Sequence, residues 1–143
     1  MHRISKYLLI CFSLLVLFSC SKEDEHPVPY VRVDFNFNIT HYNLDGPGMS
    51  AEFPAGTYQG YRGLFVYRVS MDEFRAYDRA CPISPHQCTL NISEENPVLV
   101  GADCSDSVFS LLDGSRIEGT SNYPLREYRT SYNPTTFRLT ITN

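Results

Sequence analysis

The sequence predicts an all-β protein, either an antiparallel β-sandwich or a small barrel. Short runs of alternating apolar and polar residues are separated by Gly, Pro and Asn, the pattern of half-buried strands joined by turns. No segment has a sustained helical period, and no internal repeat is present. Ten Tyr and nine Phe supply large side chains that suit a β core. Many short strands of this kind are typical of sandwiches and small barrels.

The first predicted strand covers residues 31–39, where apolar and polar side chains alternate over the whole run. Its apolar side is expected to face the core and consists of Val31, Val33, Phe35, Phe37 and Ile39. Gly46-Pro47-Gly48 and residues 60–63 are turn signals. The remaining predicted strands are 64–70, 74–79, 90–92, 98–100, 108–112, 127–132 and 137–142.

The N-terminus predicts export and a lipid anchor. A basic start with Arg3 and Lys6 precedes an apolar run over residues 7–18, and Leu17-Phe18-Ser19-Cys20 looks like a bacterial lipobox. The run is shorter than the roughly 20 apolar residues that a retained membrane helix needs. Cleavage before Cys20 and lipidation of its thiol would tether the mature protein to a membrane leaflet. A plain secretory signal or a retained anchor is the alternative.

This interpretation divides the chain into a signal peptide (1–19), a lipidated tether (20–29) and one β domain (30–143). The segment that follows Cys20, Ser21-Lys22-Glu23-Asp24-Glu25, resembles the export signal of surface lipoproteins in Bacteroides-like bacteria. The expected location is therefore the bacterial outer membrane, on its periplasmic or cell-surface face. Disulfide bonds persist in those compartments.

The charge of the mature chain argues against nucleic acid and anionic lipid as partners. Without Arg3 and Lys6, ten of the 12 basic residues remain against 16 acidic ones, a net charge of −6. An acidic surface argues against nucleic acid and against electrostatic docking on anionic lipid. A protein or glycan partner remains open, with Tyr58, Tyr61 and Tyr123 as candidate contacts if they are not packed in the core.

No catalytic constellation is present, so we predict that the protein is not an enzyme. His26, His41 and His86 are not near any Ser or Cys pattern of a hydrolase, and no glycine-rich phosphate loop occurs. One alternative is a zinc site that combines His86 with the cysteines 81, 88 and 104. The C-x₆-C spacing is wider than in most structural zinc sites, and an oxidising compartment favours disulfides.

Three segments in the second half of the chain resemble a known metal-binding pattern. They are A-Y-D-R-A-C-P-I (residues 76–83), L-V-G-A-D-C-S-D-S-V-F-S-L-L-D-G-S (99–115) and P-L-R-E-Y (124–128). The pattern resembles the Rieske-type iron–sulfur domain, in which two loops supply C-x-H and C-x-x-H ligands. The resemblance implies a Rieske-like β fold with a two-loop subdomain that formerly bound a cluster.

The ligand positions that the resemblance assigns are mostly not occupied by ligands. Cys81 keeps the first Cys, whereas Ile83 replaces the first His, Ala102 the second Cys and Ser105 the second His. Since a cluster iron needs thiolate or imidazole donors, we expect no cofactor. The alternative is a Rieske-type [2Fe–2S] electron-transfer protein, for which a partner chain would have to supply ligands.

The resemblance also implies a disulfide between Cys88 and Cys104 that pins the two loops together, although a Cys81–Cys104 bond is a competing possibility. Asp106-Ser107-Val108 resembles the acceptor of O-glycosylation in Bacteroides-like bacteria, but an unmodified loop is the favoured interpretation, because three-residue motifs arise by chance. Asp78 and Arg79 are expected at a solvated rim, in an ion-pair network with Asp103, Asp106 and Arg116.

The whole mature chain also resembles a group of Rieske-like lipoproteins of Bacteroides-type bacteria. The matching positions are Tyr61-Arg62-Gly63, Val66-Tyr67, residues 76–82 and residues 109–119. This resemblance implies a membrane-anchored, non-catalytic binding or structural module, a function that the fold alone does not fix.

Overall fold

A computed structural model describes residues 26–143 of the chain. The predicted signal peptide and the predicted lipidation site Cys20 lie outside the described residues. Within residues 26–143 the regular structure consists of ten strands and one short 3₁₀ turn. None of the helical structure in this range is long and apolar enough to cross a membrane.

The ten strands follow one another with short connections. They are β1 (Asp34–Asn38), β2 (Ser50–Pro54), β3 (Gly63–Arg68), β4 (Phe74–Asp78), β5 (Asn91–Ile92), β6 (Leu99–Ala102), β7 (Ser105–Ser110), β8 (Arg116–Glu118), β9 (Glu127–Asn133) and β10 (Arg138–Thr142).

Two antiparallel sheets contain all ten strands. The large sheet has the order β1-β10-β9-β4-β3-β2, and the small sheet has the order β5-β6-β7-β8. The small sheet is therefore formed by the chain between β4 and β9, which are neighbours in the large sheet. The predicted all-β antiparallel fold class is confirmed.

The large sheet curls until its two edge strands approach each other. Phe35 and Phe37 of β1 lie 5.1 Å and 4.7 Å from Phe53 of β2 between ring centroids, although four strands separate β1 from β2 in the sheet. The concave side holds a core of twelve buried residues, which we call the large-sheet core: Val33, Phe37, Ile39, Leu44, Phe53, Leu64, Val66, Phe74, Ala76, Tyr128, Leu139 and Ile141.

A second core fills the space between the two sheets, and we call it the inter-sheet core. Its members are Phe65, Tyr67, Tyr77, Cys81, Cys88, Leu90, Val100, Phe109, Leu111 and Leu125. Strand β3 contributes to both cores, since Leu64 and Val66 point to one side and Phe65 and Tyr67 to the other. Burial on both faces explains why its sequence is a continuous apolar run rather than an alternation.

The first predicted strand is shorter in the structure than in the sequence pattern. Regular pairing covers Asp34–Asn38, and the chain then forms a 3₁₀ turn over Ile39–His41, with the Asn38 side chain accepting from the Thr40 amide. The predicted core face is nevertheless occupied as expected. Val33, Phe37 and Ile39 are buried, and Val31 and Phe35 pack against the same core.

The sequence pattern missed β2 and β8. In β2 only Phe53 is buried, and all three residues of β8 are exposed, so neither strand shows a run of alternating apolar residues. Pairing with a neighbour defines both strands. Gly63, opposite Pro54 of β2, has a φ of 106°, and a Cβ there would collide with the Phe53 carbonyl oxygen.

Residues 26–29 belong to the folded domain, which corrects the predicted tether over 20–29. Val28 is completely buried, and its carbonyl oxygen accepts a hydrogen bond from Arg126 Nε at 2.9 Å. His26 Nε2 lies 2.9 Å from the Pro124 carbonyl oxygen, while its Nδ1 accepts from the Val28 amide. These partners assign a neutral ring that donates through Nε2, and burial lowers the pKa of His26.

Candidate functional site

The candidate site is the end of the molecule where two loops meet. The first loop, residues 81–88, follows β4, and the second loop, residues 102–105, is the tight turn between β6 and β7. A third segment, residues 119–124, lies beside them. We call this region the two-loop end.

A disulfide joins the two loops. Cys88 and Cys104 have an S–S distance of 2.07 Å and a Cα–Cα distance of 5.8 Å, within the usual range for a disulfide. Cys88 comes from the first loop, and Cys104 occupies the turn whose flanking residues Ala102 and Ser105 pair with each other. The pairing is the one that the resemblance implied, and the competing Cys81–Cys104 bond is not formed.

Cys81 is a free thiol that is completely buried in the inter-sheet core. Its amide donates to the Cys88 carbonyl oxygen at 3.1 Å, and its own carbonyl accepts from the Ser84 amide at 3.1 Å. These bonds and the bridge between Ala80 and Thr89 close the first loop at its base. The position of Cys81 is that of a packed core residue.

The other three assigned ligand positions carry no metal donor of the right type. Ile83 projects outward and is 45% exposed. Ala102 packs at the edge of the inter-sheet core, and the Ser105 hydroxyl accepts from the Ser107 amide at 3.1 Å. Among residues 26–143, Cys81 is thus the single free thiol left for an iron–sulfur cluster, and positions 83, 102 and 105 offer no imidazole. The residues present do not fit the cluster.

The zinc alternative is contradicted by the same geometry. Cys88 and Cys104 share a disulfide, so neither provides the thiolate that zinc requires. Across residues 26–143, no group of three or more His, Cys, Asp or Glu side chains is placed to hold a metal ion. His86 is exposed and its Nδ1 lies against the Tyr61 hydroxyl, whereas Cys81 is completely buried.

Tyr61 and Arg62 brace the first loop from outside. The Tyr61 hydroxyl lies 2.6 Å from His86 Nδ1, and the two rings meet edge to face with centroids 5.7 Å apart. Arg62 donates from Nε to the Pro85 carbonyl at 3.1 Å and from its terminal nitrogen to the His86 carbonyl. Two carbonyls that would otherwise face water are thereby held by one guanidinium.

Asp78 anchors this brace, contrary to the predicted rim position. Its carboxylate is completely buried and forms no ion pair with any residue in the described part of the chain. It accepts from the amides of Tyr61 at 2.5 Å, Arg62 at 3.1 Å and Ala80 at 2.8 Å, and from the Tyr128 hydroxyl at 2.8 Å. A Cβ at Gly60 would lie 2.8 Å from Asp78 Oδ2, so the turn needs glycine there.

The predicted ion-pair network is absent among residues 26–143. Arg79 instead approaches Glu52 at 3.6 Å and donates to the Asn91 side chain at 2.8 Å. Arg116 donates to the Gly119 carbonyl at 2.9 Å. In the sequence Asp78 is followed by a cation, Arg79. In the structure its carboxylate instead accepts hydrogen bonds from three backbone amides and the Tyr128 hydroxyl.

Ser107, whose tripeptide resembles an O-glycosylation acceptor, is completely buried. Its hydroxyl accepts from the amides of Thr120 and Ser121, both at 3.1 Å, and donates to the Asp106 side chain at 3.3 Å. A side chain in this position holds the third segment against β7. A glycan on the hydroxyl would require these contacts to break, so the folded structure argues against modification of Ser107.

Two concave regions border the two-loop end. A cleft of about 300 Å³ is lined by Pro27, Pro82, Ile83 and residues 120–123. A wider groove of about 490 Å³ crosses the outer face of the small sheet, where Gly101 has no side chain and Val108 Cγ2 forms the floor. Exposed Asp103 and Glu118 border that groove.

The three tyrosines proposed as contacts differ in exposure. Tyr123 is 45% exposed at the cleft and packs its ring edge to face against His26, with centroids 5.8 Å apart. Tyr58 is exposed and lies under the Arg32 guanidinium at 4.9 Å. Tyr61 is partly buried by its contact with His86. Tyr123 is therefore the one of the three that lies beside a concave surface.

No protein-family model matches the chain, and no curated protein matches it significantly. Among solved structures, the chain is similar to a Mycobacterium tuberculosis protein described as an NADH-dependent nitrite reductase small subunit. The TM-score is 0.47 at 14% sequence identity, and the match covers 80% of this chain and 97% of the other. This similarity carries no argument about activity or cofactor.

Proposed function

We propose that this protein is a lipid-anchored bacterial outer-membrane protein whose Rieske-like β domain has lost its iron–sulfur cluster. In this proposal the domain is a non-catalytic binding or structural module, and its partner is a protein or a glycan. The lipid on Cys20 keeps the domain at the membrane, on the periplasmic or the cell-surface side.

The donor set at the two-loop end carries the proposal. The ligand positions hold a buried Cys81, an outward-facing Ile83, Ala102 and Ser105. The Ser105 hydroxyl already accepts a hydrogen bond from the Ser107 amide. One thiol cannot hold two irons, which need four protein ligands. A one-electron carrier built on this chain alone would therefore have no site for its cofactor.

The disulfide supports the proposed compartment. The Cys88–Cys104 disulfide is of a kind that persists in the periplasm and at the cell surface and is rare in the cytosol. Export through the predicted signal peptide would bring the chain to such a compartment. In this setting the bond replaces the metal as the covalent link between the two loops.

The groove on the outer face of the small sheet is the candidate contact surface for a partner. It combines partly exposed apolar side chains, such as Ile92 and Val108, with acidic residues at its edge. A mixture of apolar floor and polar rim is common in protein-binding surfaces.

The first test is native mass spectrometry of residues 21–143, produced in a host able to build iron–sulfur clusters and exported to an oxidising compartment. We expect a mass about 2 Da below that of the reduced chain and no metal, since one disulfide removes two hydrogens. Bound iron and sulfide, or a zinc ion, would show that the chain does supply enough metal ligands and would contradict the proposed loss of the cluster.

Lipidation is tested separately in the full-length protein. Metabolic labelling with a clickable palmitate analogue is expected to mark the wild-type chain, and the Cys20→Ala variant is expected to lose the label. A labelled Cys20→Ala variant, or an unlabelled wild type in cells that label a known lipoprotein, would contradict the anchor.

A further inference from the structure

The chain enters the domain at the two-loop end. His26 contacts the Pro124 carbonyl, and Val28 is buried with its own carbonyl bound by Arg126. These contacts hold residues 26–28 against residues 124–126, which connect the third segment to β9. His26, where the described part of the chain begins, therefore lies beside the cleft that Pro27 lines.

Exposed apolar side chains surround that entry point. The cleft of about 300 Å³ brings Pro27 together with Ile83 and Tyr123. Ile83 and Tyr123 are each 45% exposed, and Tyr30, which is 71% exposed, lies near Arg126 with the guanidinium 5.9 Å from its ring centroid. One end of the molecule thus carries both the chain entry and three large side chains open to solvent.

The distance from a lipidated Cys20 to this end is short. His26 is the sixth residue after Cys20, and a fully extended chain over those six steps spans at most roughly 22 Å. A compact domain of about 100 residues has a radius of gyration of about 13 Å and is about 35 Å across. The end that bears His26 is therefore held close to the bilayer, whereas the far end is not.

We propose that the two-loop end rests on the lipid bilayer, with Ile83 and Tyr123 inserted at its interface. The proposal depends on the proposed lipidation of Cys20. Tyrosine is favoured at the headgroup level because its ring is apolar and its hydroxyl stays hydrated.

The contact is apolar rather than electrostatic. The Asp106 carboxylate accepts from the Thr120 hydroxyl at 3.1 Å at the border of the cleft, and the mature chain carries a net charge of −6. Acidic groups are repelled by anionic lipid, so zwitterionic phosphatidylcholine is the appropriate surface. This orientation leaves the groove on the small sheet facing sideways, open to a partner.

The absence of tryptophan from the chain permits a direct test. Single tryptophans are introduced by Ile83→Trp and Tyr123→Trp, and Met71→Trp is the matched control. Met71 is 61% exposed in the turn before β4, at the end of that strand opposite the first loop. All three sites are exposed, so the substitutions should leave the fold intact, which circular dichroism checks.

The full-length lipidated variants are reconstituted into phosphatidylcholine vesicles containing brominated lipid, which quenches nearby tryptophan. We expect Ile83→Trp and Tyr123→Trp to be quenched at least about twofold more than Met71→Trp. Raising the salt from about 0.05 to about 0.5 M should change this quenching little, because salt screens charges and the proposed contact is apolar. Equal quenching at the three sites in vesicle-bound protein would overturn the proposed orientation.

Failure of the anchor gives a different result. Wild-type protein that does not float with vesicles, like the Cys20→Ala variant, would overturn the lipid anchor and this proposal with it. Vesicle-bound protein in which neither Ile83→Trp nor Tyr123→Trp is quenched would overturn the lipid contact of the two-loop end.

Discussion

At the scale of single residues, Asp78 connects parts of the fold that are far apart in sequence. Its carboxylate accepts hydrogen bonds from amides in the turn before β3, from the Ala80 amide just before the first loop, and from the Tyr128 hydroxyl in β9. Four hydrogen bonds compensate for the cost of burying a charge without a cation. The same contacts position Tyr61 and Arg62 against the first loop.

We expect Asp78→Asn to lower the free energy of unfolding by about 2–4 kcal/mol, because an amide NH₂ cannot accept and would face N–H donors. Urea unfolding of the soluble domain measures the change. Asp45→Asn is the control, since Asp45 is exposed. A loss below about 0.5 kcal/mol in Asp78→Asn, similar to that of a surface substitution, would contradict the role of the carboxylate.

Two buried tyrosines predict a loss of stability at alkaline pH. Burial, and then the Asp78 carboxylate, raises the pKa of Tyr128, and burial, and then Glu127, raises the pKa of Tyr77. Above about pH 10 the unfolded phenols ionise while the folded ones stay protonated, so the unfolded state binds fewer protons. The free energy of unfolding therefore falls as the pH rises.

The expected slope is up to about 1.4 kcal/mol per pH unit for each tyrosine. Tyr128→Phe should make the slope between pH 10 and 12 shallower by about that amount. Urea midpoints measured in a Cys81→Ala background avoid thiol exchange with the disulfide. Identical slopes in the variant and its parent would show that the Tyr128 phenol ionises equally in both states.

At the scale of elements, the small sheet and its loops are held to the large sheet by few covalent or regular connections. Strand β5 has two residues and β8 has three, and the second loop is a two-residue turn. Hairpins of this size are marginal alone and need a packed face. The disulfide and the inter-sheet core provide that support.

Removing the disulfide should cost about 3 kcal/mol, since it closes a loop with a sequence separation of 16. The Cys88→Ala/Cys104→Ala double variant tests this by urea unfolding. Cys81→Ala is the matched control, because it removes another fully buried cysteine but leaves the bond. The prediction fails if the control and the double variant lose equal stability.

At the scale of the whole molecule, two cores lie on opposite faces of shared strands. Both β3 and β4 contribute residues to the large-sheet core and to the inter-sheet core. Strand β9 pairs with β4 and closes the chain back onto the large sheet after the small one. A substitution that destabilises either core should therefore also destabilise the other.

Phe109→Ala in the inter-sheet core should cost about 3–5 kcal/mol. We expect hydrogen exchange of the slowest amides in β10 to accelerate as much as in β7, by at least roughly 100-fold, because both report global unfolding. Leu139→Ala, in the large-sheet core, is the reciprocal variant. Acceleration confined to the small sheet would indicate two independently unfolding units.

Much of the fold could be predicted from local pattern, and part of the candidate site could not. The core positions Val33, Phe37 and Ile39 follow from alternation within one segment. Strand β8 has no such signal, since its three exposed residues are defined by pairing with β7. Ser107 and Asp78 read as surface polar residues and are buried by partners in other segments.

The sequence by itself determined the all-β class, the approximate positions of most strands and the side-chain types at the positions that the resemblance assigns to ligands, because period, turn residues and side-chain chemistry are local properties. Only the tertiary structure decided which cysteine stays free, that residues 26–29 join the domain, and that Asp78 organises the two-loop end. Each of these depends on contacts between residues far apart in the chain, and no local pattern specifies which distant groups will meet.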